Sequence, residues 1–93
     1  MKLPAKYSEL KSYQKREARL QYIEQQDNLC WHCKGNLDEV PPDEILKKRI
    51  NLSLYHHGFL LSPIHLHHDH DTDLTIGAVH AYCNAVLWEY HGQ

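Results

Sequence analysis

Two short ligand pairs constrain this chain more than any other feature. Cys30-Trp31-His32-Cys33 and His80-Ala81-Tyr82-Cys83 share a two-residue gap, and together they use all three cysteines of a 93-residue sequence. Zinc is commonly held in this way, by one pair on a tight turn and a second where a helix begins, and three thiolates with one imidazole form a standard structural set. An odd number of cysteines cannot close into a disulfide framework. A chain of this length is at the small end for a self-sufficient core, where a structural metal or a partner subunit is often needed. Two other readings of the same residues stay open at this point. His32 could ligate instead of His80, although it lies inside the CxxC turn and would have to point away from the ion its neighbours share. Alternatively, the cysteines are buried thiols beside a core histidine.

The segments around these pairs predict an α+β chain. "YSELKSYQKREARLQYIEQQ" has no Gly or Pro and predicts a helix, with Ser8 as its N-cap and an apolar stripe of Leu10, Tyr13, Leu20 and Ile23. Asp27-Asn28 ends it, and "CWHCKGN" follows as a tight turn with Gly35 relieving the backbone behind the second cysteine. Pro41-Pro42 and Asp43 start a short helix over "DEILKKRI"; "NLSLYHHGFLLSP" reads as a connection with some buried apolar residues. "IHLHH" alternates as a strand, with Ile64, Leu66 and His68 on one face and His65 and His67 on the other. "DHDTD" is turn chemistry, and "LTIGAV" is a returning strand in which Gly77 allows close backbone approach. "AYCNAVLWEY" is a helix with Ala81, Ala85 and Trp88, or Val86 and Tyr90, facing inward.

Charge is unevenly distributed. All ten Lys and Arg lie in residues 1–49 with eight acidic residues, whereas residues 50–93 carry four acidic residues, no basic ones and eight of the nine histidines. This suggests a first half that holds a polyanion and a second half that holds a cation. Lys11, Lys15, Arg16 and Arg19 crowd the middle of the first helix, which reads either as a helix lying along phosphates or as an ordinary solvated face. No apolar run reaches the length of a membrane span, and the N-terminus lacks the hydrophobic region of a secretion signal; a cytoplasmic protein is expected.

The remaining polar cluster is His67-His68-Asp69-His70 together with Asn84, which follows the last cysteine directly. A hairpin brings its first strand against the start of the final helix, so Asn84 should meet one of the paired histidines. An amide oxygen and a neutral imidazole make a sparse metal site with room for water and phosphate oxygens. Neighbouring strand residues point to opposite faces, so one histidine can bind metal while the other activates water.

The run "HLHHDHDTDLTIGAVHAYCN" with the upstream CxxC resembles the ββα-metal core of HNH nucleases, and within them the small phage group related to endonuclease VII. The resemblance covers residues 30–33 and 64–90 well, the N-terminal helix loosely and residues 36–62 hardly. It implies a small α+β, zinc-stapled ββα-metal domain, treble-clef-like, with an N-terminal helix. Residues 1–93 would be one nuclease domain: a basic helix over 1–28 and a stapled core over 29–93, with the ββα motif at 64–91. By this likeness His67 and Asn84 hold a catalytic divalent cation, His68 is the general base and His70 a further active-site histidine. Cys30, Cys33, His80 and Cys83 hold structural zinc. The catalytic ion would be Mg2+ or Mn2+, with Ni2+ or Zn2+ as substitutes.

The chain departs from the family pattern at four places. His67 replaces the usual Asp, His80 the third zinc cysteine, Ile76 an Arg and Asp73 a turn Gly. Losing that Arg shifts phosphate contacts toward the N-terminal helix. His91, seven residues beyond Asn84, reads as an exposed end rather than a ligand. The implied activity is hydrolysis of DNA phosphodiester bonds, by nicking or cutting, in a host cytoplasm if the protein is encoded by a bacteriophage. The implied partners are DNA and phage packaging or recombination proteins, with no membrane and with a homodimer left open. The competing expectations are a non-catalytic zinc-stapled DNA-binding or phage accessory module, and a resolvase of branched DNA.

Overall fold

The computed structural model describes residues 1–92. A 3-10 turn at Tyr7–Glu9 precedes helix α1 (Ser12–Gln25), followed by the short α2 (Asp43–Leu46) and a second 3-10 turn at Leu52–Leu54. Strand β1 (Ile64–His68) pairs antiparallel with β2 (Thr75–His80), which runs straight into helix α3 (Ala81–His91). The result is a small compact α+β fold around one two-stranded sheet. Among the described residues, no helix is long and apolar enough to cross a membrane.

Helix α1 begins later than expected. Lys11 takes the N-cap position, and its N–H donates to the Gln14 side chain at 2.9 Å. Ser8 instead donates its backbone N–H, at 3.1 Å, and its hydroxyl to the Asp73 carboxylate across the hairpin. The inner face also differs from the predicted stripe: Ala18 and Tyr22 are buried, while Tyr13 and Leu20 are 60% and 53% exposed. Ala18 allows close packing, and Tyr22 shares a 2.9 Å hydrogen bond with Thr75. The helix ends at Asp27 (φ 53°) and Asn28 (φ 61°), with Asn28 N–H donating to Ile23 O at 2.8 Å and Asp27 N–H to Glu24 O at 3.2 Å. That 6→1 and 5→2 pair is a Schellman ending, built on residues that tolerate the left-handed region.

An isolated hairpin is marginal in water, and here both ends of the sheet are tied down. Ala5 brackets Thr75 with two 2.9 Å bonds, from Thr75 N–H to Ala5 O and from Ala5 N–H to Thr75 Oγ1. Gln26 donates its amide to Ala78 O and accepts from Ala78 N–H, each at 2.9 Å, so a side chain acts as a strand partner on the free edge of β2. Gly77 sits beneath this contact. A Cβ there would stand 2.7 Å from Gln26 Oε1 and 3.1 Å from Trp31 Cβ, which is the close approach expected of it.

The hairpin turn is held by Asp69, whose side chain accepts from Asp71 N–H (2.7 Å) and Thr72 N–H (3.0 Å). Asp73 adopts φ 63°, the conformation that favours a turn glycine. Register runs from Ile64 opposite His80 to His67 opposite Gly77, then jumps to His68 opposite Thr75. Ile76 is therefore the extra residue of a bulge, a device that increases local twist and re-aims nearby side chains.

Three other expectations need correction. The second helix stops at Leu46, leaving Lys47, Lys48 and Arg49 outside it. In α3 the buried set is Ala81, Cys83, Ala85, Val86 and Leu87, while Trp88 and Tyr90 remain 44% and 48% exposed. No residue of 51–63 is buried: Tyr55 and Phe59 are half-buried and the leucines are exposed. This connection is anchored by Glu89, which accepts from Tyr55 Oη at 2.6 Å and Asn51 N–H at 3.0 Å.

Candidate functional site

Cys30, Cys33, His80 and Cys83 come together with their ligand atoms all within 4.8 Å of one another. Cys30 and Cys33 lie on the turn after α1. There Lys34 N–H donates to Cys30 O at 3.0 Å, Cys30 N–H to Gly35 O at 2.8 Å, and Gly35 N–H to Cys33 Sγ at 3.4 Å. The strained residue of this turn is Lys34 (φ 66°), not Gly35 as the sequence suggested. His80 closes β2 and caps α3, and Cys83 follows in the first turn of that helix.

The donor chemistry fits a cation. His80 Nε2 donates to the carbonyls of Asn36 (2.9 Å) and Glu39 (2.8 Å), so its proton is fixed there and the Nδ1 lone pair faces the sulfurs. Nδ1 lies 3.4 Å from Cys33 Sγ and 3.6 Å from Cys83 Sγ; a zinc tetrahedron has an S···N edge of about 3.6 Å. The Cys30 thiol is pulled down to about 4, first by its hydrogen bond with Cys83. That same contact pushes Cys83 up, and burial pushes Cys33 up. Three sulfurs this close cannot all ionise unaided, and a divalent cation would remove the conflict. The cluster could hold a structural metal such as zinc. His32 is outside it, with its ring 5.8 Å from that of His91, which is exposed.

The second constellation lies on β1 and the first turn of α3. His65 Nε2 donates to Phe59 O at 2.8 Å, which leaves Nδ1 as an acceptor. Asn84 donates its amide nitrogen to that Nδ1 at 3.2 Å and so turns its oxygen to accept from His67 Nδ1–H, also at 3.2 Å. With the His67 proton moved to Nε2, the oxygen and Nδ1 would suit adjacent positions on one small cation, whose cis ligands stand about 2.9 Å apart on octahedral magnesium. His67 is only 1% exposed, and its Nε2 has no hydrogen-bond partner.

His68 lies flat against Tyr7, ring centroids 3.8 Å apart and planes 7° from parallel, with His70 on its flank at 4.7 Å. Lys15 Nζ covers the Tyr7 ring at 4.2 Å. Burial, foremost, depresses the pKa values of His65, His67 and His68; positive charge on His70 adds to this at His67 and His68. All three are therefore neutral at pH 7; His65 has both nitrogens engaged, by Phe59 and Asn84, which leaves His67 and His68 as the candidate ligand and base.

These groups open into a cleft of about 630 Å³ that also receives Lys15 and Arg19. His67, His68, His70 and Asn84 all line it. His67 and His68 both border this cleft, as does every residue of β1, with the bulge beside them. Lys11 and Arg16 do not reach it; both are exposed on α1. His65 is the residue that sequence reasoning missed. Its strand alternation with His67 was visible, but its bond to Phe59 depends on a loop with no recognisable period.

No known protein family, curated protein or solved structure matches this chain.

Proposed function

We propose that this protein is a metal-dependent DNA endonuclease of the HNH, ββα-metal kind, hydrolysing phosphodiester bonds with His68 as general base. The observation that carries this reading is the convergence of Asn84 Oδ1 and His67 Nδ1 at 3.2 Å, in a cleft that also contains His68, His70, Lys15 and Arg19. A purely structural role has no use for a buried imidazole nitrogen left without a partner, His67 Nε2, on a residue lining a cleft that holds two cations.

In this reading the Cys3His cluster holds zinc and so sets where α3 begins, which brings Asn84 opposite His67. Magnesium or manganese held by His67 and Asn84 would supply positive charge to the scissile phosphate and the departing 3′ oxygen. His65 orients the Asn84 amide. His68, neutral and held edge-out by Tyr7, takes the proton of a water attacking in line. His70 stands beside it as a further imidazole, and Lys15 and Arg19 draw the phosphate backbone in. A bacteriophage source and work beside packaging or recombination proteins belong to the same reading, through the family likeness alone.

Incubating the zinc-loaded protein with supercoiled plasmid tests the reading. Relaxed or linear product is expected with Mg2+ or Mn2+, none without added divalent ion, and none from His68→Ala that retains its zinc. Cleavage by His68→Ala at the normal rate would sink the mechanism. DNA binding with no cleavage under any metal would leave a non-catalytic module, and cleavage confined to a branched substrate would indicate a resolvase.

A further inference from the structure

The cleft is cationic along one element and aromatic along others. Lys15 and Arg19 are one turn apart on α1 and flank the histidine row. Lys15 stands at the His68 end, over Tyr7, and Arg19 lines the same cleft. The remaining lining comes from residues 54–59 and α3. Tyr55 stacks on Phe59 at 4.2 Å, Trp88 meets Tyr55 edge-on at 6.0 Å, and Phe59 meets His65 edge-on at 4.6 Å. Trp88 follows Asn84 by one helical turn and is 44% exposed. Residues 50–93 contain no Lys or Arg, so the permanent cations of the cleft are those on α1.

A duplex carries two phosphate backbones outside and keeps its bases stacked within, so it offers no free base face to an aromatic wall. This cleft serves only one backbone. An unpaired strand presents one backbone and free base faces, and a line of cations beside an aromatic platform suits that form. We infer that the cleft takes single-stranded or locally unpaired DNA, with its backbone along Lys15 and Arg19 and an unstacked base against Trp88, Tyr55 and Phe59. The catalytic half of this inference rests on the nuclease reading; the binding half does not.

The test uses a fluorescein-labelled oligonucleotide presented single-stranded, as a full duplex, and as a duplex with a short unpaired loop. Binding is followed by anisotropy with zinc-loaded His68→Ala, and cleavage with the wild type and Mn2+. The unpaired and looped forms should bind at least about tenfold tighter than the duplex and be cut faster. Trp88→Leu, which keeps apolar bulk without the ring, should weaken binding of unpaired DNA about fivefold or more, and Trp88→Phe should restore most of it. Should Trp88→Leu fail to fold, indole quenching by the single strand decides: it should occur in the wild type and disappear in Trp88→Phe, where Trp31 is the remaining indole. Equal or tighter duplex binding, or quenching that persists in Trp88→Phe, overturns the inference. If unpaired DNA binds as described but nothing is cut, the nuclease reading fails and the binding inference stands. If duplex alone is cut, the reverse holds.

Discussion

Tyr7 and His68 form a parallel stack, 3.8 Å between ring centroids and 7° between planes. Tyr7 is itself fixed from the hairpin, where its N–H donates to Asp73 O at 2.7 Å. The N-terminal segment thus reaches the proposed base by two routes, through a ring face and through the turn that follows β1.

The pH profile of cleavage should report this stack. Burial lowers the His68 pKa below the ordinary imidazole value of about 6.5. The neutral, active form is therefore present above that lowered midpoint and is lost as pH falls through it, and a nearby divalent cation would push the midpoint further the same way. With chemistry rate-limiting, the rate should rise through a midpoint below 6.5. Tyr7→Ala should lower the plateau and move the midpoint upward, while Tyr7→Phe should preserve both. A flat profile between pH 5 and 8 counts against a histidine base.

Removing His65 should cost activity without costing the fold. It is the acceptor that turns the Asn84 amide, so His65→Ala frees the oxygen that meets His67. Groups that orient metal ligands are typically worth about 10- to 100-fold in affinity or rate. A loss of that size, with more Mn2+ needed for half-maximal nicking and zinc content unchanged, is the expected result. Wild-type metal dependence in the variant would show that His65 orients nothing.

Gly77→Ala should destabilise by about 1–3 kcal/mol. The new Cβ would meet Gln26 Oε1 at 2.7 Å, and Gln26 cannot yield without releasing both of its bonds to Ala78. Urea unfolding of the zinc-loaded protein measures this directly; an unchanged midpoint would mean that Gln26 is dispensable to the sheet.

Metal removal should unfold the chain. Structural zinc binding in small domains supplies on the order of 10 kcal/mol, comparable with the whole stability of an ordinary domain. One zinc per chain by mass spectrometry, and loss of cooperative melting with a strong chelator or in Cys30→Ser, are the expected outcomes. Cooperative melting without metal would make the Cys3His cluster a packing feature only.

What could be read from the sequence followed the strength of local signals. β1 was bounded as found because "IHLHH" alternates between two strong turn signals, and the start of α3 followed from the HxxC pair. The packing face of α1 was not legible. In a helix so rich in Lys, Arg, Glu and Gln, several weak stripes compete, and the choice of Ala18 and Tyr22 depends on Thr75, more than fifty residues away. Ser8 looked like a cap because capping is a local rule; Asp73 captures it by a long-range contact. The aromatic lining at Tyr55 and Phe59 was hidden for the same reason, since the distant Glu89, Trp88 and His65 hold these rings.

The Gln26 contact has a consequence for colloidal behaviour. Its amide engages both the N–H and the C=O of Ala78 at the outer border of the sheet, where Trp31 N–H also reaches the carbonyl at 3.0 Å. With Ala5 also on Thr75, a passing extended peptide finds no open ladder along this border, which guards the molecule against strand-by-strand growth into aggregates.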